Sequence, residues 1–168
     1  MFYRRSAIKA VLTAGILALL FSQSILAQAN STPEERAHWI ELTRKLEADP
    51  LDSQLNKDAE IAVKRLIEVK DIHVAICAAV FSDLGASKYK YSGQIARQYL
   101  LASAVFVIQN PDKAGDAALA NLSAVQSVLK VYNAILQSKP KEHSKSLDEL
   151  VKEQNAGSLE SSIHKKCG

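Results

Sequence analysis

The two cysteines of the chain carry its most specific chemistry. Cys77 lies near the middle of the 168-residue sequence, and Cys167 is the penultimate residue. Two such thiols pair in an oxidising compartment, and their bond would close a loop of about ninety residues, which the chain-entropy model values at roughly 4 kcal/mol. The sequence therefore predicts a disulfide that tethers the tail, residues 158–168, to the core.

Histidines close to these cysteines offer a second chemistry. His73 precedes Cys77 by four residues and His164 precedes Cys167 by three, so each pair would share one face of a helix. Imidazole and thiolate together suit Zn²⁺ or Cu(I). The spacing fits no established zinc finger, and a disulfide would consume both thiolates. We therefore favour the disulfide over a metal site and expect no cofactor.

A short loop mixes aromatic and basic side chains in a pattern common at binding surfaces. Tyr89 and Tyr91 alternate with Lys88 and Lys90, and Arg97 follows about one turn into the next predicted helix. These five residues are our candidates for contacting a partner or an anionic ligand. The alternative is an ordinary surface loop whose tyrosines fold back on the core, and the shortness of the loop favours it.

The sequence contains none of the motifs that commonly accompany catalysis. It has no Gly-x-Ser-x-Gly, no phosphate-binding glycine loop, no dinucleotide fingerprint, no His-Glu-x-x-His and no Cys-x-x-Cys. Two pairs of carboxylates, Glu34–Glu35 and Asp148–Glu149, fall in predicted first turns of helices, where they complement the helix dipole. An enzyme is therefore the less favoured expectation.

The first 29 residues have the pattern of a secretory signal peptide. Arg4, Arg5 and Lys9 give it a positive start. Residues 11–21 form an apolar run that is shorter than the ~20 residues of a membrane-spanning helix. Residues 27–29, Ala-Gln-Ala, match the small-x-small pattern that a signal peptidase recognises. The segment predicts export of the chain.

Cleavage after Ala29 would leave Asn30 as the mature N-terminus, and cleavage after Ala27 is the alternative. The mature protein, residues 30–168, would then be periplasmic or extracellular, without stable insertion in a membrane. The signal holds three of the 21 basic residues and none of the 18 acidic ones, so the net charge falls from +3 to zero. A neutral chain has no overall field to attract nucleic acid, and we expect no such partner.

Helix signals recur along the mature chain and predict one all-α domain. Residues 32–35, Thr-Pro-Glu-Glu, form a capping box for a first helix that should run to about Ala48. Asp52 or Ser53 would cap a second helix. The short connections favour a single compact bundle of about six antiparallel helices, and no internal repeat is detectable.

The middle of the chain contains an element whose sequence is compatible with a helix or a strand. Asp71 is predicted to cap a third helix, residues 72–84. Residues 72–77 are rich in β-branched side chains and could form a strand, but no second strand candidate exists to pair with them. Residues 99–108 are apolar almost all round, which predicts a helix at the centre of the core.

The last third of the chain predicts three more helices. Asp112 would cap the first, whose amphipathic stripe runs through residues 118–136. Residues 146–149, Ser-Leu-Asp-Glu, resemble a capping box for a short helix that ends near Gly157. Apolar residues four apart in the range 159–167 predict a final amphipathic turn or two.

Three functions remain open at this point. The first is an exported, non-catalytic helical binding or interaction protein of unknown ligand, which an apolar groove or a large exposed apolar patch would support. The second is a metal-binding or redox-linked helical protein that uses His73, Cys77, His164 and Cys167. The third is a small hydrolase, which would need a concave pocket holding an acid–base pair.

Overall fold

The computed structural model describes residues 29–80 and 89–167. Except for Ala29, the predicted signal peptide lies outside these residues, and so does Lys88. The described residues are all-α and contain no strand, which confirms the predicted fold class. The helices are α1 (Pro33–Ala48), α2 (Ser53–Glu68), α3 (Ser92–Gln109), α4 (Ala117–Ser138), α5 (Lys145–Asn155) and α6 (Leu159–Cys167). None of the described helices combines the length and the apolar character that crossing a bilayer requires.

The starts of α1 and α2 follow the predicted capping chemistry. The Thr32 hydroxyl accepts a hydrogen bond from the Glu35 amide at 3.2 Å, and the Glu35 carboxylate accepts one from the Thr32 amide at 2.8 Å. Asp52 caps α2 by accepting from the Leu55 amide at 2.7 Å. These bonds satisfy amides that the helices themselves leave without a partner.

Helix α3 lies between two hydrophobic clusters and belongs to both. Its Leu101 and Val107 pack with α1 and α2 around Trp39, which is 2% exposed. Its Ile95 and Tyr99 pack instead with α4, α5 and α6. This double packing explains why residues 99–108 of α3 are apolar almost all round, and it confirms the predicted central helix.

Two predicted caps in the second half of the chain are wrong. Residues Pro111–Lys113 form a 3₁₀ turn, and Asp116 rather than Asp112 caps α4 by accepting from the Leu119 amide at 3.0 Å. Helix α5 begins at Lys145 after Ser144, so the predicted box at residues 146–149 starts inside the helix. Polar residues cluster at both places, and the pattern alone does not select which of them caps.

The third predicted helix is wrong over residues 72–77, where the chain has no helix, turn or bend. Asp71 does not cap a helix. Its carboxylate accepts hydrogen bonds from the amide and the hydroxyl of Ser31, both at 2.8 Å, and from the Arg36 guanidinium at 2.6 Å. Because the Asp71 carboxylate makes these contacts to the start of the described chain, it is not available to cap a helix that begins at residue 72.

The other end of this stretch is held by Cys77. Its amide donates to the Tyr99 hydroxyl and to Asn121 Oδ1, each at 3.2 Å. In a helix the same amide would donate to the carbonyl of residue 73. Contacts at both ends therefore keep residues 72–76, which we call the open segment, out of helical geometry. Helical structure resumes at residues 78–80.

Candidate functional site

The disulfide predicted between Cys77 and Cys167 is present. The Cα atoms are 5.3 Å apart and the sulfur–sulfur distance is 2.04 Å. The bond joins the end of the open segment to the end of α6, whose Leu159 and Ile163 are buried in the core. The tail is thus fixed both covalently and by apolar packing.

The same bond removes the thiolates on which the alternative metal site depends. Both sulfur atoms are bonded to each other, and His73 and His164 are exposed. Among residues 29–80 and 89–167, no group of three or more His, Cys, Asp or Glu side chains could hold a metal ion.

The two tyrosines of the candidate recognition loop pack inward. Tyr91 is 6% exposed, and the Tyr89 ring meets the rings of Tyr91 and Tyr132 edge-on at centroid distances of 5.7 and 6.0 Å. The Tyr89 hydroxyl is buried without a hydrogen-bond partner in the described part of the chain, and burial raises the pKa of that hydroxyl. Such rings contribute to the core rather than to a surface.

The basic members of the same candidate set have partners of their own. Lys90 Nζ lies 3.7 Å from the Glu142 carboxylate and 5.4 Å from the centroid of the Tyr91 ring. Arg97 donates to Asn56 Oδ1 of α2 at 3.0 Å. The structure therefore engages Arg97 between α3 and α2 and leaves Lys90 as the most exposed described member of the set.

A polar network lies next to these tyrosines. The Tyr132 hydroxyl accepts from the Ser144 amide at 3.0 Å and donates to the Asp148 carboxylate at 2.6 Å, and His143 Nδ1 lies 3.1 Å from the same carboxylate. Burial raises the pKa of Tyr132 to about 12. Burial alone would raise the pKa of Asp148, but the bonds from Tyr132 and His143 outweigh it and lower that pKa. The network fixes the connection between α4 and α5.

An apolar groove runs between α2, α3 and the open segment, with a volume of about 300 Å³. Its walls include Val63, Leu66 and Ile67 of α2, Leu100 of α3, and Val74 and Ile76 of the open segment. The groove exists because the open segment is not helical. Residues of the open segment and of the last turns of α2 line the groove together.

Two large apolar side chains in the walls of this groove are exposed. Ile67 is 74% exposed and Ile76 is 51% exposed. Ile61, also on α2, is 66% exposed but lies at a different depression, beside Trp39 and Arg65. Sequence reasoning missed Ile67 and Ile76 as site residues. The sequence carried part of the signal for Ile67, because this residue falls outside the predicted apolar stripe of α2, which consists of Leu55, Ala59, Ala62, Leu66 and Val69.

Comparisons with known proteins gave no match to a family model, to a curated protein or to a solved structure.

Proposed function

We propose that this protein is an exported, non-catalytic helical interaction protein that binds an apolar surface or ligand in the groove between α2 and the open segment. The observation that carries the proposal is the exposure of Ile67 and Ile76 in the walls of one groove.

An exposed isoleucine side chain does not contribute the free energy that its burial would provide. Burying an isoleucine side chain stabilises a protein by about 1.5–3 kcal/mol. Single exposed apolar residues are common, but two in the walls of one apolar groove place exposed apolar surface where contact sites are usually found. Partner contact would bury both side chains and supply this free energy to binding.

Export is supported by the signal pattern and by the disulfide. A structural disulfide persists in an oxidising compartment and is rare in the cytosol. N-terminal sequencing of the protein recovered from the exported fraction tests this part of the proposal. The expected first residue is Asn30, or Gln28 with the alternative cleavage. Protein that is found only inside the cell and begins at Met1 would contradict it.

The groove itself can be tested with an apolar fluorescent dye, 1-anilinonaphthalene-8-sulfonate. We expect the mature protein to enhance the fluorescence of the dye and Ile67→Lys to remove most of the enhancement. Ile61→Lys is the matched control, because it changes the same residue type on the same helix outside the groove. The two variants should have the same helical circular dichroism. Equal dye binding by both would contradict the groove as the site.

A further inference from the structure

The groove beside the open segment is lined by both buried and exposed apolar side chains. Leu66, Val69 and Ile72 line it and are only 5–7% exposed, because they also belong to the core cluster around Trp39. Ile67 and Ile76 line it too, and they are 74% and 51% exposed. An occupant of the groove would therefore lie against the core of the protein and cover part of two exposed side chains.

Water is a poor occupant of this groove. Eight of the nine described residues that line it are valine, leucine or isoleucine, whose side chains offer water no hydrogen bond, and the ninth is His73. An ordered water needs about two to four polar partners. Displacement of poorly held water by an apolar group favours binding. The lining therefore favours an apolar occupant over solvent.

The size of the groove favours a small ligand over a protein partner. A stable protein interface involves roughly 20–30 residues on each side, whereas nine described residues line the groove. An apolar cavity of about 150 Å³ holds one benzene molecule, which has roughly six carbon atoms. At about 300 Å³ the groove has room for about twice as many. An unbranched alkyl chain of about twelve carbons matches this volume.

The polar surroundings of the groove favour an anionic head group. His73 is the only polar residue among the described lining residues, and its imidazole carries an N–H that can donate to a carboxylate. Lys70, three residues earlier, is exposed and forms no ion pair with any described residue. The neighbouring acids Glu68 and Asp71 already lie 3.6 and 2.6 Å from arginine side chains. The basic groups left to meet a ligand are therefore those of Lys70 and His73.

We infer that the ligand of this groove is a single-chain amphiphile of the fatty acid class, with its alkyl chain against the apolar walls and its carboxylate beside His73 and Lys70. The inference rests on the proposed function and specifies its ligand. The apolar walls provide most of the affinity, because burial of the chain scales with its length. The two basic residues select the sign of the head-group charge, and salt weakens this selection because both are exposed.

Displacement of the fluorescent dye by fatty acids of increasing length tests the fit of the chain. The mature protein, with its disulfide intact, is titrated with octanoate, decanoate, dodecanoate and tetradecanoate, each below the concentration at which it forms micelles. The concentration for half displacement should fall roughly threefold to fourfold for each added methylene. It should change little beyond about twelve carbons, because further methylenes stay in water.

A second titration tests the head group. Dodecyltrimethylammonium has the same chain as dodecanoate but the opposite charge, and it should displace the dye about tenfold less well. Lys70→Glu combined with His73→Ala should remove this preference. Lys57→Glu makes the same charge change on α2 outside the groove and should retain it. Circular dichroism shows that both variants keep their helices.

The outcomes separate the inference from the proposed function. Failure of dodecanoate to displace dye that binds through Ile67 would overturn the inference and leave the proposed function standing. Equal displacement by both charges, or a preference that persists in the Lys70 and His73 variant, would also overturn it. A dimer mass in sedimentation equilibrium that dodecanoate does not change would assign the groove to a second copy of the chain instead. Dye binding that Ile67→Lys leaves intact would retire the proposed function as well.

Discussion

The loop that carries Tyr89 and Tyr91 and the groove beside the open segment have the opposite exposure from what their compositions suggest. The loop combines rings and cations, as recognition surfaces do, but Tyr91 is 6% exposed and Tyr89 packs against Tyr132. The groove is lined mainly by isoleucine, valine and leucine, which are typical core residues, yet Ile67 is 74% exposed. Residue type predicts what a side chain can do, whereas its neighbours in space decide whether it faces solvent.

The difference in exposure between the tyrosines and the isoleucines arises from the elements that lie beside them. The tyrosines stand at the start of α3, where α4 provides an apolar surface for their rings. Ile76 lies in the open segment and Ile67 lies beside it, and this segment is held at both ends, by Asp71 and by Cys77. A helix across residues 72–77 would change what lies against α2, and the groove would not have its present walls.

Loss of the disulfide is the change with the largest expected effect on this contrast, because it frees one end of the open segment. Cys77→Ser combined with Cys167→Ser should lower the free energy of unfolding by about 4 kcal/mol, as expected for a loop of this length. Urea unfolding followed by circular dichroism measures it. Reduction of the unmodified protein should give a similar loss, and an unchanged midpoint in either experiment would contradict the covalent anchor.

Alanine substitutions in the two regions should differ by several kcal/mol. Tyr91→Ala empties a buried site and should cost about 3 kcal/mol of unfolding free energy. Ile67→Ala removes an exposed side chain and should change it by less than about 0.5 kcal/mol. Urea unfolding of both variants makes the comparison. Similar losses would mean that the tyrosine is not a core residue or that the isoleucine is not exposed.

The ion pair at the other end of the open segment should give acid sensitivity. Burial opposes ionisation of Asp71, but hydrogen bonds from Ser31 and Arg36 outweigh it and lower its pKa from 3.8 to about 2. A lowered folded-state pKa stabilises the protein above pH 3.8, and this contribution is lost as the pH falls toward 2. Asp71→Asn should cost about 1–2 kcal/mol at pH 7, since Arg36 is partly solvated.

Unfolding free energies measured between pH 5 and pH 2 check this prediction. The difference between Asp71→Asn and the unmodified protein should shrink as the pH falls. Asp112→Asn is a matched control, because this exposed residue caps no helix. A difference that does not change with pH would assign the loss to altered packing instead.

Lys90 should show the smallest effect. It is exposed, and its ion pair with Glu142 spans 3.7 Å. Exposed pairs of this kind contribute about 0–1 kcal/mol, so Lys90→Ala should lie near the lower end of that range in urea unfolding. A loss comparable to that of Tyr91→Ala would contradict the assignment of this side chain to the surface.

Local chemistry made much of the fold predictable. The start of α1 is defined by Pro33 and by the capping bonds between Thr32 and Glu35. These residues are three positions apart, so the local sequence contains the complete capping box. The continuous apolar character of α3 likewise predicted its central position. The disulfide followed from the presence of two thiols and an exported context, although their proximity required the fold.

The errors fall where a polar side chain can choose between local and distant partners. Asp71 is a good helix cap by type, but Ser31 and Arg36 reach it from the start of the described chain. Asp148 was assigned to a first helical turn, where it lies, yet its bond to Tyr132 of α4 was not foreseen. Nothing in sequence spacing ranks these alternatives, because the distant partners meet only once the helices have packed.

By itself, the sequence determined the helical class of the described residues, the limits of α1, the start of α2 and the apolar centre of the molecule, because caps and periodic stripes act over three or four residues. Only the tertiary structure decided that residues 72–76 stay out of a helix, that the tyrosines face inward and that two isoleucines line an open groove. Each of these depends on contacts between residues 20 to 90 positions apart. Those contacts form at both ends of a segment whose local preference does not favour one structure.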